Sequence, residues 1–253
     1  MVAAIYDVHG NLPALEVVLS EVGRAEFDLV VVGGDVASGP MPVEVLDRLE
    51  RLGDRVRWVR GNSDRQAVSA YDGSRSEIEA CMSDPARVMD GWAASRIGER
   101  HRDLLASFPE RVVVGIEGLG EVLFCHATPR SDEEIVTTTT PDDRLRGILA
   151  GVEQDFVVCG HIHTQYDRYV GPRRVINAGS VGLSYQGEPV GAFWALLGPR
   201  VEFRRSDYDL RGAIERFRAL GYPAVKDMEE SLLAPPDPSW VADFFERQAG
   251  GFR

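Results

Sequence analysis

The residues of this chain best suited to metal chemistry are its histidines, and most of them share one setting. The sequence has five histidines, and four of them lie just after a short apolar run typical of a buried strand. His161 and His163 follow such a run at 156–159, and because they are two residues apart they point to the same side of an extended chain. Neutral imidazole is the commonest metal-ligating side chain. The pair therefore predicts a metal site at the end of that strand.

Carboxylate and amide side chains occur in the same setting, at the ends of other apolar runs. With the strand-end histidines they make a set of seven: Asp7, His9, Asp35, Asn62, His126, His161 and His163. Mixed oxygen and imidazole ligands suit Mn²⁺, Fe, Co²⁺, Ni²⁺ or Zn²⁺. Seven ligands exceed what one ion needs and suit two ions roughly 3.5–4 Å apart, bridged by a carboxylate and a hydroxide. Taken singly, each residue has a plainer interpretation as a turn or a satisfied polar group, so the prediction depends on the whole set.

The elements that must position these residues alternate between strands and helices. Residues 2–10 predict a strand that ends in a turn, and further strands are expected at 27–32 and 56–59. Helical periodicity occupies 12–22 and 42–52 between them. This order is typical of a parallel sheet with covering helices. Ligand sites in such folds gather at the carboxyl edge of the sheet, where the predicted ligands lie.

The rest of the chain predicts an insertion, a second set of strands and a tail. Residues 65–107 are expected to be an insertion of helices, one of them starting at Ala86, with His101 facing solvent. Hairpins are expected at 111–125, around Gly118-Leu119-Gly120, and at 192–205. A helical tail at about 208–253 ends the chain. We predict a single domain over residues 1–253.

Composition restricts the partners of this chain. The net charge of −12 argues against a large basic surface for long nucleic acids, but not against a small phosphorylated substrate, because bound cations reverse the local sign of charge. The sequence has no membrane-spanning run and no evident secretory signal. Its three cysteines lack motif spacing, which favours the reducing cytoplasm. Cys125 and Cys159 are expected in the core.

The order of these motifs resembles that of a known superfamily. Asp7-Val8-His9, Gly34-Asp35, Gly61-Asn62-Ser63-Asp64, His126 and Gly160-His161-Ile162-His163 are similar to the motifs of calcineurin-like metallophosphoesterases, especially the small bacterial and archaeal phosphodiesterase branch. The resemblance implies a four-layer α/β/β/α sandwich of two mixed β-sheets flanked by helices. It also implies two divalent ions, with manganese the expected metal.

The same resemblance implies a division of the ligands. Asp7, His9 and His163 would hold one ion. Asn62, His126 and His161 would hold the other, and Asp35 would bridge the two. The implied first step is in-line attack on phosphorus by a hydroxide that bridges the metals.

One residue departs from the pattern of the superfamily. Many of its phosphatases carry histidine directly after the Gly-Asn pair, where it can protonate the leaving oxygen, and this chain has Ser63 there. A serine hydroxyl is a poor proton donor at neutral pH. Either a metal-bound water is the general acid, or the best substrates have acidic leaving groups and need none. Asp64 either orients a ligand or caps the turn. The loop at 177–180 either approaches the metals or is a plain turn.

Three functions follow from these observations. The first is a metal-dependent phosphoesterase that hydrolyses a small, nucleotide-like phosphodiester, with a homodimer possible. The alternative is a scaffold that kept the fold, lost catalysis and binds a protein partner. A nuclease acting on long DNA is the third, and the acidic balance of the chain speaks against it. All seven ligand positions are filled, which favours the enzyme. Three arginines flank ligand positions and either hold a phosphate oxygen or balance surface charge: Arg60, Arg65 and Arg130.

Overall fold

A computed structural model describes residues 1–25, 27–84 and 87–249. These residues form two five-stranded β-sheets packed face to face, with helices over the outer face of each. The predicted four-layer α/β/β/α sandwich of two mixed sheets is confirmed. Among the described residues, no helix combines the length and the apolar character needed to cross a bilayer.

The secondary structure alternates in the first third of the chain and separates into helices and strands afterwards. The strands are β1 (Val2–Ile5), β2 (Leu29–Val32), β3 (Val56–Trp58), β4 (Arg111–Ile116), β5 (Gly120–Cys125), β6 (Phe156–Cys159), β7 (Tyr166–Val170), β8 (Arg173–Asn177), β9 (Ala192–Leu197) and β10 (Val201–Ser206). The helices are α1 (Leu12–Arg24), α2 (Pro42–Glu50), α3 (Asn62–Asp72), α4 (Arg75–Ser83), α5 (Val88–Arg96), α6 (Glu99–Ala106), α7 (Asp142–Ile148), α8 (Leu210–Ala219), α9 (Val225–Leu233) and α10 (Pro238–Ala249). The first sheet has the order β10-β9-β1-β2-β3 and the second β4-β5-β6-β8-β7.

Parallel pairing brings the carboxyl ends of the central strands to one edge of each sheet. In the first sheet β1 pairs with β2 and β2 with β3 in parallel, and β9 and β10 join antiparallel. In the second sheet β6 pairs in parallel with β5 and β8. Every predicted ligand follows β1, β2, β3, β5 or β6, so this topology collects all of them at the two carboxyl edges.

The two faces of β1 show how the layers are built. Side chains alternate along a strand, so Val2 and Ala4 lie in the core between the sheets. Ala3 and Ile5 point the other way, into the core beneath the outer helices. Since both faces are covered, the strand is apolar at every position, which is why sequence alone could locate it.

Strand β7 was not predicted, and its burial explains why. It is the edge strand of the second sheet, and only its end residues Tyr166 and Val170 are buried. The polar residues between them, such as Asp167, face outward. An edge strand of this kind lacks the apolar run on which the prediction of strands depends.

The helical insertion differs from its prediction at its start. Its first helix, α3, begins at Asn62 rather than at residue 65, with Gly61 in the N-cap position. Asn62 therefore lies on the first turn of a helix that emerges directly from the strand end. The predicted helix start at Ala86 lies outside the described residues, and the described helix there begins at Val88.

The prediction that His101 faces solvent was wrong. The residue is only 9% exposed, and its Nε2 lies 3.0 Å from Asp47 Oδ1 on α2. The flanking arginines suggested an exposed segment, but adjacent residues on a helix point in different directions, so they say little about the side chain between them. Arg100 pairs with both Asp47 and Glu50, so a guanidinium already supplies the positive charge beside this acidic pair.

Helices α8 and α9 of the tail pack against the insertion, whereas α10 packs against the core of the second sheet. Phe217 and Tyr222 join Trp92 of α5 and Met41 in one apolar cluster. Asp237 caps α10, because its Oδ1 accepts a hydrogen bond from the backbone N–H of Ser239 at 2.9 Å. The last residues of the predicted tail, 250–253, lie outside the described residues.

Replacing Tyr222 by Phe is expected to stabilise the protein. The side chain is 2% exposed, its ring packs edge-on to Trp92, and its hydroxyl has no hydrogen-bond partner among the described residues. Removing an unpartnered buried hydroxyl while keeping the ring should raise the free energy of unfolding by about 1 kcal/mol, measured by urea denaturation. Tyr222→Ala is the contrast, with an expected loss of about 3–5 kcal/mol. A lower stability for Tyr222→Phe would mean that the hydroxyl has a partner.

Candidate metal centre

The structure brings all seven predicted ligands together where the carboxyl ends of the two sheets meet. In one group, His9 Nε2 lies 3.1 Å from His163 Nε2. Asp7 Oδ1 lies 3.5 Å from His163 Nε2. The ligand atoms of these three residues lie within 4.8 Å of one another and all three residues are buried. This is a group that could hold one metal ion.

The remaining ligands form a second group beside the first. His126 Nε2 lies 3.5 Å from Asp35 Oδ1 and 3.9 Å from Asp7 Oδ1. One terminal atom of the Asn62 amide, placed as Oδ1, faces His126 Nε2 and His161 Nδ1 at 3.1 Å each. With no cation, exchanging the amide oxygen and nitrogen would give better hydrogen bonds there. A cation favours the oxygen, because it is then a ligand rather than an acceptor that faces other acceptors.

Asp35 lies between the two groups. Its Oδ1 faces His126, and its Oδ2 lies 3.8 Å from His9 Nε2. Ser63 holds this carboxylate in place, since its backbone N–H donates to Oδ1 at 2.8 Å and its hydroxyl donates to Oδ2 at 3.0 Å. The position is that of a carboxylate able to serve both groups.

Backbone carbonyls determine which ring nitrogen of His9 and of His126 faces the site. His9 Nδ1 lies 3.0 Å from the carbonyl of Ser38, and His126 Nδ1 lies 2.9 Å from the carbonyl of Gly33. A carbonyl can only accept, so Nδ1 must carry the hydrogen in both rings. Nε2 is then the ring nitrogen that faces the site, which is the usual arrangement of a metal-ligating histidine and its outer partner.

The backbone of the site is strained at the ligands themselves. Among the described residues, the non-glycine positions with positive φ are Asp7 (52°), His9 (45°), Asp35 (52°), His161 (71°) and His163 (57°). This left-handed conformation is uncommon for residues with a side chain. Strained positions cluster at functional sites and persist only when the surroundings hold them. Here they coincide with five of the seven ligands.

Burial and mutual charge perturb the titration of the ligands. Burial opposes ionisation of Asp35, but the neighbouring His126 holds the pKa of this carboxyl far below its usual range. Burial also opposes the charged form of His126, yet Asp35 and Asp7 raise its pKa to about 10. Burial and the charge of His126 lower the pKa of His161 to about 4. The two carboxylates thus favour positive charge at the site, whether a protonated imidazole or a bound cation supplies it.

One buried oxygen without a hydrogen-bond partner indicates whether the clustered residues fit divalent cations. Asp7 Oδ1 is buried and has no hydrogen-bond partner among the described residues. The other oxygen of the carboxylate, Oδ2, accepts the backbone N–H of His161 at 2.9 Å. A buried carboxylate oxygen without a hydrogen-bond partner is unfavourable unless a positive charge lies beside it, as a bound cation would. The residues present therefore fit a divalent metal.

Asp64 lies behind the ligands rather than among them. It is fully buried, and its Oδ2 accepts the backbone N–H groups of Asp35 and Gly61 at 2.9 and 3.0 Å. Its Oδ1 accepts the N–H of Val36 at 2.9 Å. These bonds tie the loops after β2 and β3 together, so Asp64 caps the turn at Gly61 and also holds the backbone of the candidate ligand Asp35.

Gly61→Ala should disturb the site without changing its chemistry. A Cβ at this position would lie 2.1 Å from Asp35 Oδ1 and 2.3 Å from the Asp35 backbone nitrogen, so the strand end must shift. We expect fewer than two bound Mn²⁺ per chain and a stability loss of about 1–3 kcal/mol, measured by metal analysis and urea denaturation. Gly115→Ala on β4 is the matched control, because nothing lies within 4 Å of its Cβ. Full metal content in Gly61→Ala would contradict the close packing described here.

Other residues at the site were missed or left open by sequence analysis. Tyr185 stacks on His163, with ring centroids 4.7 Å apart, and no signal in the sequence predicts this contact. The loop at 177–182 holds the backbone of Asp7, because the Ser180 hydroxyl donates to the Asp7 carbonyl at 2.8 Å. Its contacts are thus with the backbone of a ligand rather than with ligand side chains.

The three flanking arginines are paired with acids. Arg65 bonds to Asp132 and Glu133, and Arg130 bonds to Glu134. Arg60 pairs with Glu110 at 3.0 Å, but its buried Nε has no hydrogen-bond partner among the described residues. A cleft of about 180 Å³ opens beside the second ligand group, and its lining includes Arg60, His126, Thr128 and Arg130.

Comparison with known proteins gives the same family from sequence and from structure. Residues 1–196 match the model of the calcineurin-like phosphoesterase superfamily domain. A symmetrical bis(5'-nucleosyl)-tetraphosphatase of Baumannia cicadellinicola subsp. Homalodisca coagulata is 39% identical over 125 residues, which are 49% of this chain and 40% of the relative. A protein of the same name from Pectobacterium carotovorum subsp. carotovorum (strain PC1) is 40% identical over 81 residues, which are 31% of this chain and 29% of the relative. The matched segments therefore span less than half of these curated relatives.

Two solved structures share the fold over nearly their whole length. A metallophosphoesterase from Sphaerobacter thermophilus superposes with a TM-score of 0.72 at 25% identity, covering 92% of this chain and 98% of that one. A hypothetical protein from Pyrococcus horikoshii OT3 gives a TM-score of 0.79 at 20% identity, covering 94% of this chain and all of the other (100%). The two-sheet sandwich, the clustering of the seven candidate ligands and above all the match over residues 1–196 lead to one conclusion. The chain belongs to the calcineurin-like phosphoesterase superfamily.

Proposed function

We propose that this chain is a metal-dependent phosphoric ester hydrolase that binds two divalent cations, with Mn²⁺ the expected metal. Asp7, His9 and His163 would hold one cation. His126, His161 and Asn62 would hold the other, and Asp35 would serve both. The observation that carries the proposal is the orphaned, buried Asp7 Oδ1, which faces imidazole nitrogens of both groups at 3.5 and 3.9 Å.

The residues of the chain prepare the site for a phosphate. Two bound cations lower the pKa of a shared water and draw charge from phosphoryl oxygens in the transition state. Asn62 contributes to the second group without negative charge, so the seven ligands supply only two carboxylates, Asp7 and Asp35, against two divalent cations. The loaded site then keeps a net positive charge and attracts an anionic ester. Tyr185 shields His163 on one side, which limits the directions from which water can approach.

The proposed substrate is a small nucleotide-like diester or anhydride. Both curated relatives named above are bis(5'-nucleosyl)-tetraphosphatases, which supports a nucleotide substrate. The hydroxyl of Ser63 donates to Asp35, so this side chain is committed to positioning that carboxylate. Substrates with acidic leaving groups, including nucleoside phosphates released from an anhydride, do not require a proton from it. We place the reaction in the cytoplasm, which the three free and buried cysteines support.

A substrate panel on protein of defined metal content tests the proposal. The panel contains an aryl phosphomonoester, an aryl phosphodiester, a cyclic nucleotide, a dinucleoside tetraphosphate and a phosphopeptide. We expect chelated protein to be inactive, and Mn²⁺ to restore hydrolysis of the diester and of the dinucleotide. A protein that binds no divalent ion and hydrolyses none of these would favour the scaffold alternative.

A further inference from the structure

A buried carboxylate of the helical insertion is connected to the proposed metal centre through a single residue, Ser38. Asp90 is on α5 and is 6% exposed. Its Oδ1 accepts the hydroxyl of Ser38 at 2.5 Å, a length typical of a bond to an ionised carboxylate. Ser38 is itself 1% exposed, so no solvent competes for this bond. Nothing in the function proposed above uses Asp90.

Ser38 connects this carboxylate to a metal ligand. Its carbonyl is the acceptor 3.0 Å from His9 Nδ1, and this contact keeps the hydrogen on Nδ1 and the lone pair on Nε2. The same residue thus faces Asp90 with its hydroxyl and His9 with its carbonyl. Among the described residues, the only other acceptor within hydrogen-bond distance of the hydroxyl is the Ser63 carbonyl, at 3.4 Å. Asp90 therefore decides which way Ser38 is held.

The loop that carries Ser38 is anchored by the insertion on both sides. Before it, Val36 N–H donates to Asp64 Oδ1 of α3 at 2.9 Å. After it, the Pro40 carbonyl accepts Trp92 Nε1 of α5 at 3.2 Å. Asp90 supplies the middle anchor, from the same helix as Trp92. The insertion therefore holds the loop between β2 and α2 by hydrogen bonds along the segment that contacts His9.

We infer that Asp90 is a positioning residue for His9, acting through Ser38, and that holding this loop is a role of the helical insertion. The inference rests on the proposed metal centre, in which His9 is a ligand. Without an acceptor at position 90, the Ser38 hydroxyl loses its bond to α5, and residue 38 loses one of the contacts that hold its carbonyl beside His9 Nδ1. The imidazole can then carry its hydrogen on Nε2, the nitrogen that must be free to bind a cation.

Burying the Asp90 carboxylate lowers the stability of the folded protein at neutral pH, so stability by itself does not explain why this residue is there. Burial, with the charge of Asp35 nearby, raises the pKa of Asp90 to about 6. The folded protein then binds this proton more tightly than the unfolded chain does between the ordinary pKa and about pH 6. Stability therefore falls as the pH rises through that interval. Asp90→Asn, which keeps an acceptor and loses the charge, should melt at a higher temperature at neutral pH.

The test compares three single variants and one double variant of the full chain. In cation-free protein, the ¹⁵N shifts of His9, assigned with His9→Gln, report which ring nitrogen carries the hydrogen. Equilibrium dialysis with Mn²⁺ then measures the two binding constants. We expect Asp90→Ala and Ser38→Ala to lose the Nδ1–H form and to weaken one of the two Mn²⁺ sites by about 10–100-fold. The double variant Asp90→Ala/Ser38→Ala should bind Mn²⁺ no more weakly than either single variant. Asp90→Asn should keep the His9 tautomer and the Mn²⁺ affinity of the wild type.

Controls separate positioning from folding and from the proposed function. Asp72→Asn changes an exposed carboxylate of the same insertion, paired with Arg102, and should leave both readouts unchanged. If Mn²⁺ affinity followed melting temperature across the variants, or if Asp90→Ala kept the Nδ1–H form, the inference would be overturned. Wild-type protein that binds no Mn²⁺ would overturn the proposed function instead, and the ¹⁵N shifts of cation-free protein would still decide the role of Asp90.

Discussion

Asp35→Asn should lower kcat/KM by on the order of 10³-fold or more and leave fewer than two bound Mn²⁺ per chain. Asparagine has the same shape and tolerates the left-handed backbone (φ 52°) found here, so the fold should survive. The Ser63 N–H must still meet an acceptor, which orients the amide oxygen toward Ser63 N. The amide nitrogen is then directed toward His9, where it carries hydrogens in place of a lone pair.

The control for this variant is a carboxylate exchanged where no metal is proposed. Asp167→Asn on β7 breaks an ion pair with Arg174 and should keep full activity and metal content. Metal analysis of the purified protein and hydrolysis of an aryl diester are the measurements, with circular dichroism to confirm folding. An Asp35→Asn protein with two Mn²⁺ and near wild-type activity would remove Asp35 from the proposed centre.

Ser63→His should make the enzyme less selective for acidic leaving groups. The position follows Asn62 on the first turn of α3 and is half-buried at the edge of the site. A histidine there can protonate the departing oxygen, which typically contributes about 10²–10⁴-fold. We expect kcat/KM for an alkyl ester to rise on the order of 10²-fold over Ser63→Ala, with little change for a nitrophenyl ester, which leaves without a proton.

Two comparisons show whether the gain comes from proton transfer. Ser63→Gln has similar bulk and no titrating group, so it should not accelerate the alkyl ester. In wild type, a plot of log rate against leaving-group pKa should be steep, and in Ser63→His it should flatten. Equal acceleration by Gln and His would point to a change of packing, and a flat wild-type plot would mean that a general acid is already present.

The candidate metal ligands could be picked out because they follow features that are local in sequence. A strand buried on both faces is a continuous apolar run, as Phe156–Cys159 is, and its end is visible without a structure. Ligands must lie at the ends of such strands to meet at one sheet edge. The residue types, their order and their resemblance to a known superfamily predicted the sandwich, which is confirmed, and seven candidate ligands, which the structure brings together.

What surrounds the ligands was decided by contacts between residues far apart in the chain. Whether His101 is exposed depends on Asp47 in another helix, and the prediction failed because no local pattern contains that partner. The orientation of His9 depends on Ser38 and, through it, on Asp90. Periodicity reports which face of an element is buried, but not which polar group on another element it meets. The sequence thus identified the candidate ligands, whereas their tautomers, their strained backbone and the contacts around them exist only once distant segments are packed together.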